Sequence, residues 1–198
     1  MTAVLVLAGV FLLAMFWAIG AWKRLVSLRQ QFRNSYALFN GQYERHLALI
    51  ATLADAAEAD MPRERSRLAD ILVAHTRVIE ANAHAADPTN AAALQQLATA
   101  DAVLNAALGN LPALFDARAT LKANPSMLAL SMEWNAVRNR VAFTRQAYSD
   151  AVLQYNAALA QFPGSVIANL FGFKAGALLV PGKTADATDV PPLDSSRT

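Results

Sequence analysis

Three histidines, fifteen carboxylates and no cysteine bound the chemistry open to this 198-residue chain. The absence of cysteine excludes disulfides, thiolate zinc sites and a cysteine nucleophile. His75 and His84 are nine residues apart, which sets the two imidazoles on opposite faces of a helix, so they cannot share a metal ion. His75 falls among Leu68, Ile71, Val78 and Asn82 at helical spacing and reads as a buried, hydrogen-bonded imidazole rather than a ligand. Glu133 has no acidic neighbour one turn away, and the Glu-x-x-His pair of di-iron bundles is absent. No glycine-rich phosphate loop occurs, and no serine is paired with a histidine in a pattern that points to a nucleophile. Asp101 stands out because it sits on an apolar stripe. A carboxylate facing a core needs a cation, which Arg140 or Arg145 could supply. The expectation is a protein without catalytic residues, cofactor, metal or small-molecule substrate.

The last long apolar-periodic segment carries the polar residues Asn139, Arg140, Arg145, Asp150 and Asn156, with Tyr148 and Tyr155 seven residues apart on its core stripe. Asn139 and Asp150 are eleven residues apart, three full turns, and so share a face. Two roles are open to such groups. They can order the helices by hydrogen bonds between them, or they can dock a partner.

The elements that position these residues begin with an anchor. Ala3 to Trp22 reads AVLVLAGVFLLAMFWAIGAW, with no charged side chain. A helix of about 20 residues spans roughly 30 Å, the thickness of a bilayer's hydrocarbon core. Residues 1–22 are therefore expected to form a transmembrane anchor. A cleaved signal would carry basic residues before its apolar core. Here Lys23, Arg24, Arg29 and Arg33 all follow it, which places the N-terminus outside and the rest of a single-pass protein in the cytoplasm.

After the anchor, apolar residues recur every three or four positions. Leu25, Leu28, Phe32, Tyr36, Phe39, Tyr43, Leu47, Ile50, Leu53 and Ala57 mark one long helix, continuous with the anchor and ended by Met61-Pro62. A second helix is expected over 63–86, followed by an Asp87-Pro88-Thr89 turn. A third starts at Thr89 as N-cap and carries Leu94, Leu97, Asp101, Leu104, Leu108, Leu111 and Phe115, with a kink at Gly109 and Pro112. The fourth opens at Asn124-Pro125, presents Met127, Leu130, Trp134, Val137, Val141, Thr144, Tyr148, Val152, Tyr155 and Leu159, and stops at Phe162-Pro163-Gly164. Its mean step near 3.5 residues is that of coiled-coil packing. The expected fold is all-α: an antiparallel four-helix bundle over 23–162 on a transmembrane helix.

Four antiparallel helices return the chain to the bilayer. The apolar segment 163–180, with Lys174 as its single charge, must then cap the bundle end, lie in the membrane interface or bind a partner. Lys23, Arg24, Phe171 and Phe173 are the candidate membrane-proximal residues. Residues 181–198, rich in Pro, Asp, Ser and Thr, read as a disordered tail.

Several short stretches together resemble the LemA family. They are Ala107-Leu108-Gly109, Leu121-Lys122-Ala123-Asn124, Asn139-Arg140-Val141-Ala142, Arg145-Gln146-Ala147-Tyr148, Asp150-Ala151-Val152, Tyr155-Asn156, Phe162-Pro163 and Gly172-Phe173-Lys174, with the anchor followed by Leu25-Val26-Ser27-Leu28-Arg29. The chain departs from the family's pattern at Ala48-Leu49-Ile50-Ala51-Thr52-Leu53, at Arg118-Ala119 and at Arg138. The resemblance implies a bacterial inner-membrane protein with a cytoplasmic helical bundle and no established reaction.

Two functions are expected from this reading. The first is a scaffold or adaptor that engages other membrane proteins or a second copy of itself. The second is a lipid-binding, membrane-organising protein that self-assembles, with basic residues beside anionic lipid heads. A net charge of +2 is too small for nucleic-acid binding.

Overall fold

The computed structural model describes residues 1–60, 65–109 and 125–180, and every regular element among them is helical. In chain order these are α1 (Thr2–Asp60), α2 (Arg65–His84), α3 (Ala91–Leu108), α4 (Pro125–Ala160) and α5 (Gly164–Phe171). Met61-Pro62, Asn124 and the expected tail lie outside the described residues.

α1 is one unbroken helix of 59 residues, roughly 90 Å at 1.5 Å per residue. Its two parts differ in how apolar residues are disposed. Leu5, Leu7, Phe11, Leu12, Leu13 and Phe16 are exposed around the helix. From Leu25 onward a single stripe turns inward, and Leu25, Phe32, Tyr36, Phe39, Tyr43, Leu47, Ile50 and Leu53 are buried. A helix with one apolar stripe is made to pack on neighbours, whereas one that is apolar all round is made for an apolar surrounding.

α4 packs along that stripe in the opposite direction. Phe32 stacks on Tyr155, Tyr36 and Phe39 meet Tyr148, and His46 lies parallel to Trp134, so numbers fall on α4 as they rise on α1. α2 also opposes α1, since His75 bonds to the Leu47 carbonyl and the Tyr36 hydroxyl donates to the Ala85 carbonyl. One continuous core takes side chains from α1, α2, α3 and α4. Each large apolar side chain buried there contributes about 1.5–3 kcal/mol.

Three expected boundaries are corrected. α2 ends at His84 rather than residue 86. Asp87 then accepts from both the Thr89 N–H and the Thr89 hydroxyl, which turns the chain. That occupies Thr89, so the N-cap of α3 is Asn90, whose amide oxygen accepts from the Ala93 N–H. Gly109 ends α3 instead of kinking it, its N–H bonded to the carbonyls of Asn105 and Ala106. Leu111, Pro112 and Phe115 lie outside the described residues.

The segment 163–180 explains itself by where α2 and α3 stop. Their connecting turn lies level with Tyr36, while α1 and α4 continue side by side to Leu25 and Ala158. Residues 172–180 fill the side left open. The Tyr148 hydroxyl donates to the Ala177 carbonyl (2.5 Å), the Tyr155 hydroxyl to the Lys174 carbonyl (3.0 Å), and Asn156 exchanges two hydrogen bonds with Gly176. The Ala177 N–H reaches the Pro88 carbonyl, so this strap ties the α2–α3 turn to α4.

α5 meets α1 lower down, with Ile167 against Leu25 and Phe171 against Trp22. The corner between α4 and α5 is tight at Gly164, where an added Cβ would stand 2.1 Å from the Ala158 carbonyl oxygen. Gly164→Ala is therefore expected to push α5 off its seat and lower stability by about 1–3 kcal/mol, with little change in helix content. Chemical denaturation followed by circular dichroism checks this, and an unshifted midpoint contradicts it.

Candidate functional site

Polar groups converge at two places in the domain, and apolar groups at a third. The first is Asp101 on α3. It is buried, and it links three helices: the Tyr43 hydroxyl of α1 donates to Oδ1 at 2.7 Å and the Arg145 guanidinium of α4 to Oδ2 at 2.9 Å. Of the two cations expected for it, Arg145 fills the role, while Arg140 points to solvent. Arg145 also lies over the Phe39 ring at 5.8 Å. Tyr43 was missed as a partner from sequence, although a tyrosine and an aspartate on facing apolar stripes are complementary at their tips.

The second is His46 on α1, about a quarter turn off the stripe read from the sequence and also buried. Its Nε2 accepts from the Trp134 indole N–H at 3.0 Å, so the proton of the neutral ring belongs on Nδ1, which has no partner among the described residues. Arg138 lies over the Trp134 ring, 5.9 Å from its centroid. His75 is buried and bonds through Nε2 to the Leu47 carbonyl. No group of three or more metal-ligating side chains occurs among the described residues.

These groups carry a pH dependence. Burial holds the His46 imidazole below its ordinary value; Asp101 opposes this and Arg138 adds to it. Below about pH 6.5 an unfolded histidine takes up a proton that the folded protein resists, so stability falls as the pH drops through that window. At the other end, burial first and the Asp87 charge second push the Tyr36 hydroxyl up to about 12. Burial likewise raises Tyr43, Tyr148 and Tyr155. Their neutral forms are the folded forms, and stability is lost as the pH rises above about 10, where unfolded tyrosines ionise. Thermal melts across pH are expected to show both flanks. His46→Gln, which keeps an acceptor for Trp134, flattens the one between about pH 6.5 and 5; an unchanged acid flank would remove His46 as its cause.

The remaining motif residues of α4 divide. Asn156, Tyr148 and Tyr155 hold the strap, and Arg145 holds Asp101, so these four order the domain. Asn139, Arg140 and Asp150 lie on the exposed face, Asp150 accepting from Gln146 on its own helix. Phe162 and Pro163, joined by a cis peptide bond, form the α4–α5 corner.

At that corner lies the third place. Phe162 packs on Trp17, and Trp22 is flanked edge-on by Phe171 and Phe173. Arg29 sits over the Phe173 ring. Phe162, Val166, Leu170 and Phe171 nevertheless remain exposed. The corner reaches down α1 to Trp17, six residues before Lys23 and so about 9 Å inside the first charge. Among the described residues α1 is the one helix long and apolar enough to cross a membrane.

The family model for the LemA family matches residues 36–192. The match opens inside α1, after the apolar stretch, and takes in α2 to α5 and the strap. A comparison with curated proteins gives no match.

Proposed function

The chain belongs to the LemA family, and from that premise we propose that it is a single-pass inner-membrane protein whose antiparallel four-helix bundle serves as a non-enzymatic scaffold or adaptor on the cytoplasmic face. The observation that carries this reading is the unbroken α1. One helix supplies both the apolar stretch and the domain's central stripe, so the domain has no hinge to its anchor and is presented to neighbours at a fixed height. The exposed face of α4, with Asn139, Arg140 and Asp150, is the surface offered to a partner, a membrane protein or a second copy of the chain. Crosslinking in intact membranes, purification in mild detergent and identification of what is joined through that face test it. A reproducible partner lost in Arg140→Ala supports the adaptor role; recovery of the uncrosslinked chain alone ends it.

A second reading, a lipid-organising protein that self-assembles, is favoured by the exposed corner of Phe162, Val166, Leu170 and Phe171. These residues lie beside the anchor, where an apolar surface meets lipid instead of water. Self-crosslinks with retained lipid and no other partner would favour this reading.

A further inference from the structure

We propose that the groove between α1 and the α4–α5 corner binds one anionic phospholipid, with an acyl chain against Phe16, Trp17 and Phe162 and the phosphate on Arg24. This rests on the reading that the apolar stretch of α1 spans a membrane. The groove has a volume of about 270 Å³ and is lined by Phe16, Trp17, Gly20, Arg24, Gln161 and Phe162, among others, close to the lower end of ligand-sized sites.

The order of its lining matches the order of groups in a lipid. Phe16 lies eight residues before Arg24, about 12 Å deeper along the helix axis. The apolar wall is thus on the hydrocarbon side and the guanidinium on the headgroup side. Arg24 takes part in no ion pair among the described residues, so its donors are available to a phosphate, which a guanidinium binds through two parallel N–H groups. Gln161 also lines the groove, and its amide has donors for a lipid's ester oxygens. Gly20 lines the groove, and a Cβ built there meets nothing within 4 Å, so a larger side chain at this position has room to occupy it. A water-soluble ligand would leave the Phe16 and Trp17 wall facing solvent, and a lipid without net negative charge would bring its own cation to compete with Arg24.

The test uses the full chain in phosphatidylcholine vesicles containing either brominated phosphatidylglycerol or brominated phosphatidylcholine at equal mole fraction. Tryptophan quenching is read after flotation. Trp17 forms part of the groove, and bromine there quenches it. Quenching is expected at several-fold lower mole fraction for the phosphatidylglycerol, on the order of fivefold for one cation near the surface. Arg24→Gln is expected to bring that ratio to about one. Gly20→Leu fills the groove while leaving every charge in place and a stronger helix former in α1; it too is expected to abolish the preference. Equal quenching by the two lipids in the wild-type chain overturns the site. A preference that survives Gly20→Leu also overturns it, because it then comes from the diffuse attraction of Lys23, Arg24, Arg29 and Arg33. A chain that does not float with the vesicles overturns the membrane reading and the lipid site with it.

Discussion

Asp101→Ala is expected to lower the stability of the helical domain by about 3 kcal/mol, the low end of the range for breaking a buried ion pair. The carboxylate is the acceptor for two groups from different helices, Tyr43 at 2.7 Å and Arg145 at 2.9 Å. Its removal leaves the hydroxyl of Tyr43, a residue only 1% exposed, without an acceptor. A buried unpaired hydroxyl costs about 1–3 kcal/mol. Arg145 suffers less, because about a third of its side chain reaches solvent and the guanidinium can rehydrate by a change of rotamer. Arg145→Ala is expected to cost about 2–4 kcal/mol, since it leaves a buried carboxylate with only the tyrosine. Tyr43→Phe, which removes one donor and keeps the ion pair, is expected to cost about 1 kcal/mol. The decisive measurement is the Asp101/Arg145 double-mutant cycle by urea unfolding. Once one partner is gone the other contributes little, so the two losses must fall short of adding by about 1–2 kcal/mol. Additivity within about 0.5 kcal/mol would mean that the two side chains are neighbours without coupling.

The same pair shows how far the sequence could be read. That Asp101 needed a cation followed from its position on an apolar stripe, and the stripe was legible because helical burial repeats every three to four residues. Choosing between Arg140 and Arg145 was harder, because five residues on a helix differ by more than a turn and the choice depends on the register of α3 against α4. Arg145 precedes the core residue Tyr148 by three positions and so flanks the buried stripe, while Arg140 adjoins Val141 on its outer side. His46 was missed for a related reason. It neighbours Leu47 on α1, and both are buried because α1 packs on α4 along one side and on α2 along another, so its buried sector is wider than a single line of positions.

The strap was less legible still. Nothing in GFKAGALLV distinguishes a segment that fills the side of two helices from one that enters lipid. The difference lies in α2 and α3 ending level with Tyr36 while α1 and α4 continue. That length mismatch was already visible, because the Asp87-Pro88-Thr89 turn fixes where two helices stop and Phe162-Pro163 fixes where the fourth stops. Its consequence appears only when the helices are laid side by side: Tyr148, Tyr155 and Asn156 point their polar ends at an unfilled edge, and the chain after α5 brings carbonyls to them.

Leu12→Arg with Leu13→Arg is expected to release the protein from membranes while leaving the helical domain folded. The two leucines are the central pair of Ala3–Trp22 and are exposed, so neither packs on the rest of the chain. An arginine at the centre of a spanning helix costs about 2.5–3.5 kcal/mol by insertion measurements, and each lost leucine removes a further few tenths. The pair thus opposes insertion by roughly 6 kcal/mol, enough to reverse an equilibrium that favours the bilayer by several orders of magnitude. The core begins at Leu25, about 18 Å further along α1, so the variant's unfolding midpoint should match the wild-type protein's. Carbonate extraction and unfolding of the released protein measure the two effects separately. Persistence in the carbonate-resistant pellet would mean that the apolar stretch of α1 is not what holds the chain there, and the exposed corner at Phe162 and Phe171 would have to do so alone. Release with an unchanged midpoint would show that α1 is two structures in one helix: a lipid-facing rod whose surroundings lie outside the protein, and a core helix whose surroundings are α2, α4, α5 and the strap.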